Sequence, residues 1–153
     1  MQVVDEAAVR DALAEVPDPE IPVVSVLDLG MVEAVHVNHR AIRVELLPTF
    51  VGCPAIDAIR SAVEAPLAAF GRPVEVDVSF RVPWTSDRIT PAGRDKLRRS
   101  GFAPPPGPDL AAVRCPYCGS DQVALDNLFG PTQCRSLFYC RACRQPFEQF
   151  KAV

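Results

Sequence analysis

The stretch Val74-Glu75-Val76-Asp77-Val78-Ser79-Phe80 alternates apolar and polar residues without a break, the period of a strand with one buried face and one wet face. What precedes it is helical. Cys53-Pro54 opens a helix, because proline is tolerated at a first helical position whose N–H has no intrahelical partner. Ile56, Ile59, Val63, Leu67 and Phe70 form the helix's buried stripe, Pro66 kinks it or ends it early, and Gly71 is a suitable cap. Further upstream, residues 31–37 and 41–47 read as two strands. The second alternates Ile42, Val44 and Leu46 with Arg43 and Glu45, and the turn-like Asn38-His39-Arg40 makes the pair a hairpin. A first helix starts from Asp5 as N-cap, repeats Val9, Ala12, Leu13 and Val16 at helical spacing, and stops at Pro17. The order α-β-β-α-β predicts an α+β domain, a small mixed sheet with helices on one face. After it, residues 83–87 read as a loop. A short helix then runs from Thr90 or Pro91 to about Arg99, with Gly101 behind it.

Charge and cysteine divide the chain of 153 residues. Residues 1–83 carry net −7, residues 84–112 net +2 and residues 113–153 net +2. Five of the six cysteines fall in the last 39 residues. Between the regions lies Ala103-Pro104-Pro105-Pro106-Gly107-Pro108, whose successive prolines favour extended polyproline II and cannot continue a helix. The expected organisation is an α+β domain over 1–102, a Pro-rich linker over 103–112 and a cysteine-rich domain over 113–153. The overall charge of −3 offers no basic footprint for nucleic acid. No apolar run approaches the ~20 residues of a membrane span, and no basic-then-apolar leader is visible at the N-terminus. A cytoplasmic protein is the expectation.

Cys115-Pro116-Tyr117-Cys118 and Cys140-Arg141-Ala142-Cys143 are two C-x-x-C pairs separated by 21 residues. Each pair folds two sulfurs onto one side of a tight loop, and two such loops facing each other supply a tetrahedron, so the pattern reads as a four-thiolate zinc site. Residues 122–128, 135–139 and 147–150 read as strands, which completes a zinc ribbon. A segment of about 40 residues buries too little apolar surface to fold without a metal or disulfides, and disulfides fit a reducing compartment poorly. Four cysteines also satisfy an iron–sulfur cluster, so the spacing is compatible with zinc and with a cluster. A closed four-cysteine zinc site is structural, since no position is open for water. Cys134 is either a buried core residue or an exchangeable thiol.

Cys53, at a helix start, sits where backbone N–H groups and the helix dipole favour a thiolate, which makes it a candidate metal-handling thiol as well as an ordinary buried cysteine. No catalytic set surrounds it. His36 and His39 read as a strand residue and an exposed turn residue. Asp18, Glu20 and Asp28 read as cap and turn chemistry or as added acidic groups. Trp84 packs in a core or covers an interface.

Asp18-Pro19-Glu20-Ile21-Pro22, Val26-Leu27-Asp28-Leu29-Gly30 and Pro48-Thr49-x-x-Gly52-Cys53-Pro54 resemble the small α+β family of iron–sulfur assembly factors that includes SufT-like proteins. Pro83-Trp84-Thr85-x-Asp87-x-Ile89-Thr90 and Ala92-Gly93-Arg94-x-Lys96-Leu97 extend the match. The tail, Phe129-Gly130-x-Thr132-x-Cys134-x-x-Leu137-x-x-Cys140-x-x-Cys143-x-x-Pro146-Phe147-x-x-Phe150-Lys151, is similar to the D-protein (PaaD) family of bacterial phenylacetyl-CoA epoxidase systems. Arg88 and Pro131 depart from that family's pattern at loop positions. The resemblance implies a non-catalytic accessory or maturation factor for the ring epoxidase of aerobic phenylacetate catabolism, assisting iron–sulfur or di-iron centre assembly. The alternative is an interaction subunit of the oxygenase complex whose zinc is purely structural. The implied metal ligands are Cys115, Cys118, Cys140 and Cys143, and Cys53, Cys134 and Glu20 are the candidates for handling a transient cluster or iron. The implied partners are the oxygenase and reductase subunits, with a homodimer open and with no nucleic acid or membrane.

Overall fold

The computed structural model describes residues 3–49, 55–105, 113–132 and 134–150. The chain divides into two compact units, Met1–Trp84 and Thr85–Val153.

The first unit follows the expected order. Helix α1 (Glu6–Ala14) is capped by Asp5, whose side chain accepts from the Ala8 N–H at 2.8 Å. Strands β1 (Val32–Val37) and β2 (Ile42–Leu46) form an antiparallel hairpin. Helix α2 (Ile56–Leu67) runs into a 3₁₀ turn, Ala68–Phe70, closed by Gly71 at φ 71°. Pro66 thus ends the α-helix one residue later rather than kinking it midway. Strand β3 (Val74–Val78) returns parallel to β2, in register from Ile42↔Val74 to Leu46↔Val78. The sheet order β1-β2-β3 is mixed, as expected. Both helices belong to its apolar face: α1 packs on β1 and α2, and α2 packs on β3. Val9, Leu13, Val35, Ile42, Val44, Leu46, Ile59, Val63, Leu67 and Val76 make that core. Phe80 does not join it. The alternation that predicts it on the buried face outlasts the partner strand, because β2 ends at Leu46 opposite Val78, and Phe80 is 64 % exposed.

The other face of this sheet is polar. Arg43 pairs with Glu75, and Arg81 pairs with Glu45. A hydrogen bond from Ser79, with the Arg81 guanidinium beside it, holds the Glu45 carboxyl below its usual pKa.

The second unit begins earlier than the expected boundary at 102. Helix α3 (Pro91–Arg99), with Thr90 as N-cap and proline at its start, matches the sequence reading. It leads into a two-residue strand, β4 (Phe102–Ala103), which pairs parallel with β7 (Pro146–Phe150). Strands β5 (Val123–Asn127) and β6 (Arg135–Cys140) complete a sheet of order β4-β7-β6-β5. Residues 85–103 therefore group with the cysteine-rich tail and not with the front domain. The cause is non-local pairing: Ala103 is 1 % exposed and lies in one apolar cluster with Cys115, Cys140 and Phe147. The first residue assigned to the linker is thus a sheet residue, Pro104 and Pro105 follow as described chain, and 106–112 lie outside the described residues.

Candidate metal centre

Two knuckles build the cysteine site. In the first, the Gly119 N–H donates to the Cys115 carbonyl and the Cys115 N–H donates to the Ser120 carbonyl, both at 2.9 Å. In the second, the Cys140 N–H donates to the Gln145 carbonyl at 2.9 Å. Each knuckle places the residue after its second cysteine in the left-handed region, Gly119 at φ 77° and Arg144 at φ 60°. Glycine adopts that conformation without a Cβ clash, whereas a residue such as arginine does so at a cost of order 1 kcal/mol. The knuckles are tied where the Arg141 N–H donates to the Gln122 carbonyl at 2.8 Å.

The sulfurs of Cys115, Cys118, Cys140 and Cys143 all lie within 4.8 Å of one another. Cys115 and Cys143 are 3.6 Å apart, as are Cys118 and Cys140. A tetrahedron of sulfurs about 2.3 Å from zinc has edges of about 3.8 Å, so the cage fits the ion. Cys115 and Cys140 are buried, Cys143 is half-buried and Cys118 is exposed. The protonation pattern suits a metal site. Burial, with the Cys115 thiol next, pushes the Cys143 thiol up to about 12. The Cys143 N–H, aimed at the Cys140 sulfur at 3.5 Å, draws the Cys140 thiol down to about 7. Cys118 is raised: the Ser120 backbone N–H favours its thiolate, but desolvation and the adjoining thiols outweigh it. A divalent cation resolves this conflict, since it takes all four as thiolates. With four protein sulfurs no coordination position remains for water or substrate.

Cys134 stands apart from this group. It is 7 % exposed, and its sulfur lies 3.0 Å from the Thr132 hydroxyl. Asp18 is buried and serves the backbone, its Oδ1 accepting from the N–H groups of Glu20 and Ile21, each at 2.8 Å. Glu20 is half-buried beside it. Asp28 accepts from the Ser25 N–H at 2.9 Å, while the Ser25 hydroxyl accepts from the Asp28 N–H at 3.0 Å, a reciprocal turn. Both aspartates thus do cap and turn chemistry. Trp84 is packed, 4 % exposed, with its indole N–H donating to the Leu29 carbonyl at 2.7 Å. His36 and His39 are exposed. Cys53 and Pro54 lie outside the described residues; the described part of α2 begins behind Ala55. Among the described residues, only the four cysteines bring three or more ligating side chains together. The left-handed residue after each C-x-x-C pair was half visible in the sequence, as Gly119, whereas Arg144 carries no such signal.

Fold and site together define a small α+β domain followed by a zinc-ribbon unit. Residues 6–80 match the family described as an iron–sulfur cluster assembly protein, and residues 106–151 match the PaaD zinc beta ribbon domain. The chain is 39 % identical to the D subunit of a putative 1,2-phenylacetyl-CoA epoxidase from Escherichia coli (strain K12), over 92 % of this chain and 89 % of that protein. It belongs to the PaaD family, and its relative's place within a multi-subunit epoxidase supports an accessory role. Two solved structures share the fold of the front domain. One is a DUF59 domain of unknown function from Bacillus anthracis (27 % identity, TM-score 0.56, covering 60 % of this chain and 90 % of that one). The other is a conserved hypothetical protein from Thermotoga maritima (29 % identity, TM-score 0.55, covering 63 % and 97 %). The ribbon family and the sulfur cage together make zinc the structural cofactor of the second unit. No helix among the described residues is long and apolar enough to cross a membrane.

Proposed function

We propose that this chain is a cytoplasmic, non-catalytic maturation factor for a phenylacetyl-CoA epoxidase, helping to deliver iron or an iron–sulfur cluster to the oxygenase or its reductase. The observation that carries the reading is the union, in one chain, of an iron–sulfur assembly domain with a ribbon characteristic of the PaaD family. Two further points support it. The four-sulfur site is closed and therefore serves folding. The acidic residues of the front domain that were candidates for chemistry are, at Asp18 and Asp28, engaged with backbone N–H groups. Cys115, Cys118, Cys140 and Cys143 hold the zinc in this reading. Cys53 is the thiol that holds cargo, Glu20 is a second candidate from the same family motifs, and buried Cys134 is the weakest.

Co-expression of the epoxidase subunits with the wild-type chain or with Cys53→Ser tests this. Serine differs from cysteine only in oxygen for sulfur, so the exchange is nearly isosteric, but an oxygen replaces sulfur poorly as a ligand for a cluster. Iron content and epoxide formation should drop to the level seen without the chain, while zinc content and melting stay unchanged. Full loading with Cys53→Ser removes the cargo thiol from the reading. Full loading with no chain present favours the purely structural interaction role.

A further inference from the structure

Among the described residues the two sheets have four edge strands, and three of them are blunted. The edge β1 is interrupted by a register shift between Val32 and Ala34, which leaves Glu33 out of the pairing. The edge β5 is interrupted in the same way at Asp126, and the edge β4 has only two residues. Bulges and very short strands keep a sheet edge from recruiting another strand. Strand β3 has neither device. It runs five residues, holds its register with β2 from end to end, and contains no lysine or proline. The Ile42 N–H donates to the Pro73 carbonyl at 2.9 Å, and the Ser79 N–H donates to the Leu46 carbonyl at 2.8 Å. The odd-numbered residues of β3 therefore direct their backbone groups at β2. Those of Val76, Val78 and, just beyond the strand, Phe80 point the other way, where no strand pairs with them.

The residues of this edge select its occupant. Val74-Glu75-Val76-Asp77-Val78-Ser79-Phe80-Arg81-Val82 is complementary to its own reverse about Val78. An antiparallel second copy centred there sets Val78 against Val78, Val76 against Phe80, Asp77 against Ser79 and Glu75 against Arg81. The facing backbone groups all belong to the outward set, so Val76, Val78 and Phe80 meet their counterparts as hydrogen-bonded pairs. Phe80, 64 % exposed at the end of an apolar row, gains an apolar neighbour. Arg81 can reach Glu75, since its side chain is 73 % exposed and only its Nη2 is engaged, on Glu45. Other centres fit worse. An axis at Asp77 sets Asp77 against itself, and one at Val76 sets Glu75 against Asp77, both like-charge pairs. An axis at Ser79 puts Val76 opposite Val82, which lies in the following bend. About Val78 the two-fold axis stands perpendicular to the sheet, so both copies keep their helices on one face and their polar residues on the other.

We propose that the chain forms a two-fold dimer by antiparallel pairing of β3 with β3 of a second copy, centred on Val78, which joins two three-stranded sheets into one. Sedimentation velocity of the full-length, zinc-loaded chain over a concentration series, with exchange of single amides followed by NMR, tests this. Wild type should pass from monomer to dimer, and the amides of Val76, Val78 and Phe80 should become protected as it does. Those of Glu75, Asp77 and Ser79, already directed at β2, should not change. Val78→Pro removes the N–H at the axis, which β2 does not use, and proline is tolerated on an edge whose N–H faces outward. It should weaken association about 10-fold or more, since the symmetry deletes both central hydrogen bonds. Phe80→Asp, at an exposed position, should weaken it several-fold. Zinc content and circular dichroism of both variants should match wild type; if Val78→Pro does not fold, Phe80→Asp and the amide pattern decide. A chain that is monomeric at every concentration overturns the proposal. So does a dimer that folded Val78→Pro or Phe80→Asp leaves intact, or one that protects odd and even amides alike. Protection of the even amides only when an epoxidase subunit is added also overturns it, and gives the edge to a strand of that partner.

Discussion

Removing zinc should unfold helix α3 along with the ribbon, although α3 lies before the Pro-rich stretch and Cys115 comes 16 positions after Arg99. The structure supplies the coupling. Strand β4 directly follows α3 and pairs with β7 through Phe102↔Glu148 and Ala103↔Gln149. The Arg135 guanidinium sits 5.6 Å over the Phe102 ring, and Arg94 of α3 donates to the Pro105 carbonyl at 2.7 Å and the Ser86 carbonyl at 2.9 Å. Gly101, at φ 85°, packs so closely on Tyr117 of the first knuckle that an added Cβ would lie 2.7 Å from its hydroxyl. Among the described residues, the buried large apolar side chains of the unit are Ile89, Leu97, Phe147 and Phe150. At about 1.5–3 kcal/mol each, they contribute about 6–12 kcal/mol before chain entropy is counted. A structural zinc contributes about 10–16 kcal/mol, as much as all four together. A nine-residue helix is marginal by itself, so losing the ribbon removes the β4–β7 pairing that anchors α3. Hydrogen exchange read by mass spectrometry, with and without a strong chelator, checks this. Protection should vanish together over 91–103 and 123–150. Emission from Trp84, which is bonded within the first unit, should not shift. Slow exchange persisting in 91–99 after complete zinc removal would refute the coupling and restore a boundary near 102.

Two smaller effects follow from the first unit. Asp18→Ala leaves two N–H groups without their acceptor and should cost about 2–3 kcal/mol by urea unfolding; Asp18→Asn, which keeps an acceptor, should cost less, and an iron-loading defect in that stable variant would show a role beyond capping. Trp84→Phe strands the Leu29 carbonyl and should lower stability by about 1–3 kcal/mol; an unchanged urea midpoint would mean that the bond contributes nothing net.

What was legible in the sequence had local causes. The C-x-x-C pairs declare their knuckles because both sulfurs come from one turn, and the cage then needs only that the turns face each other. Strands β2 and β3 announce themselves by alternation, and α3 by Thr90 and Pro91 at its start. Strand β4 had no such signal. Two residues before a proline run carry no period, and their conformation comes from β7, more than 40 positions later. That one pairing moves the unit boundary from 102 back to 84. Phe80 erred in the opposite way: its local pattern was sound, but no partner strand reaches it.

The order of strands in the second sheet bears on synthesis. Strand β7, the last described strand, lies between β4 and β6, so the edge strand β4 has no neighbour until β7 is in place. The first unit, complete by Trp84, has every strand it needs early, and domains fold from the N-terminus as they emerge at about 5–20 residues per second. For the several seconds that remain, β4 has no strand to join and the first C-x-x-C pair waits alone. A nascent chain halted anywhere between Cys118 and Cys140 therefore carries a finished front domain and half a cage, able to hold a metal ion only loosely and open to exchange with whatever thiols surround it.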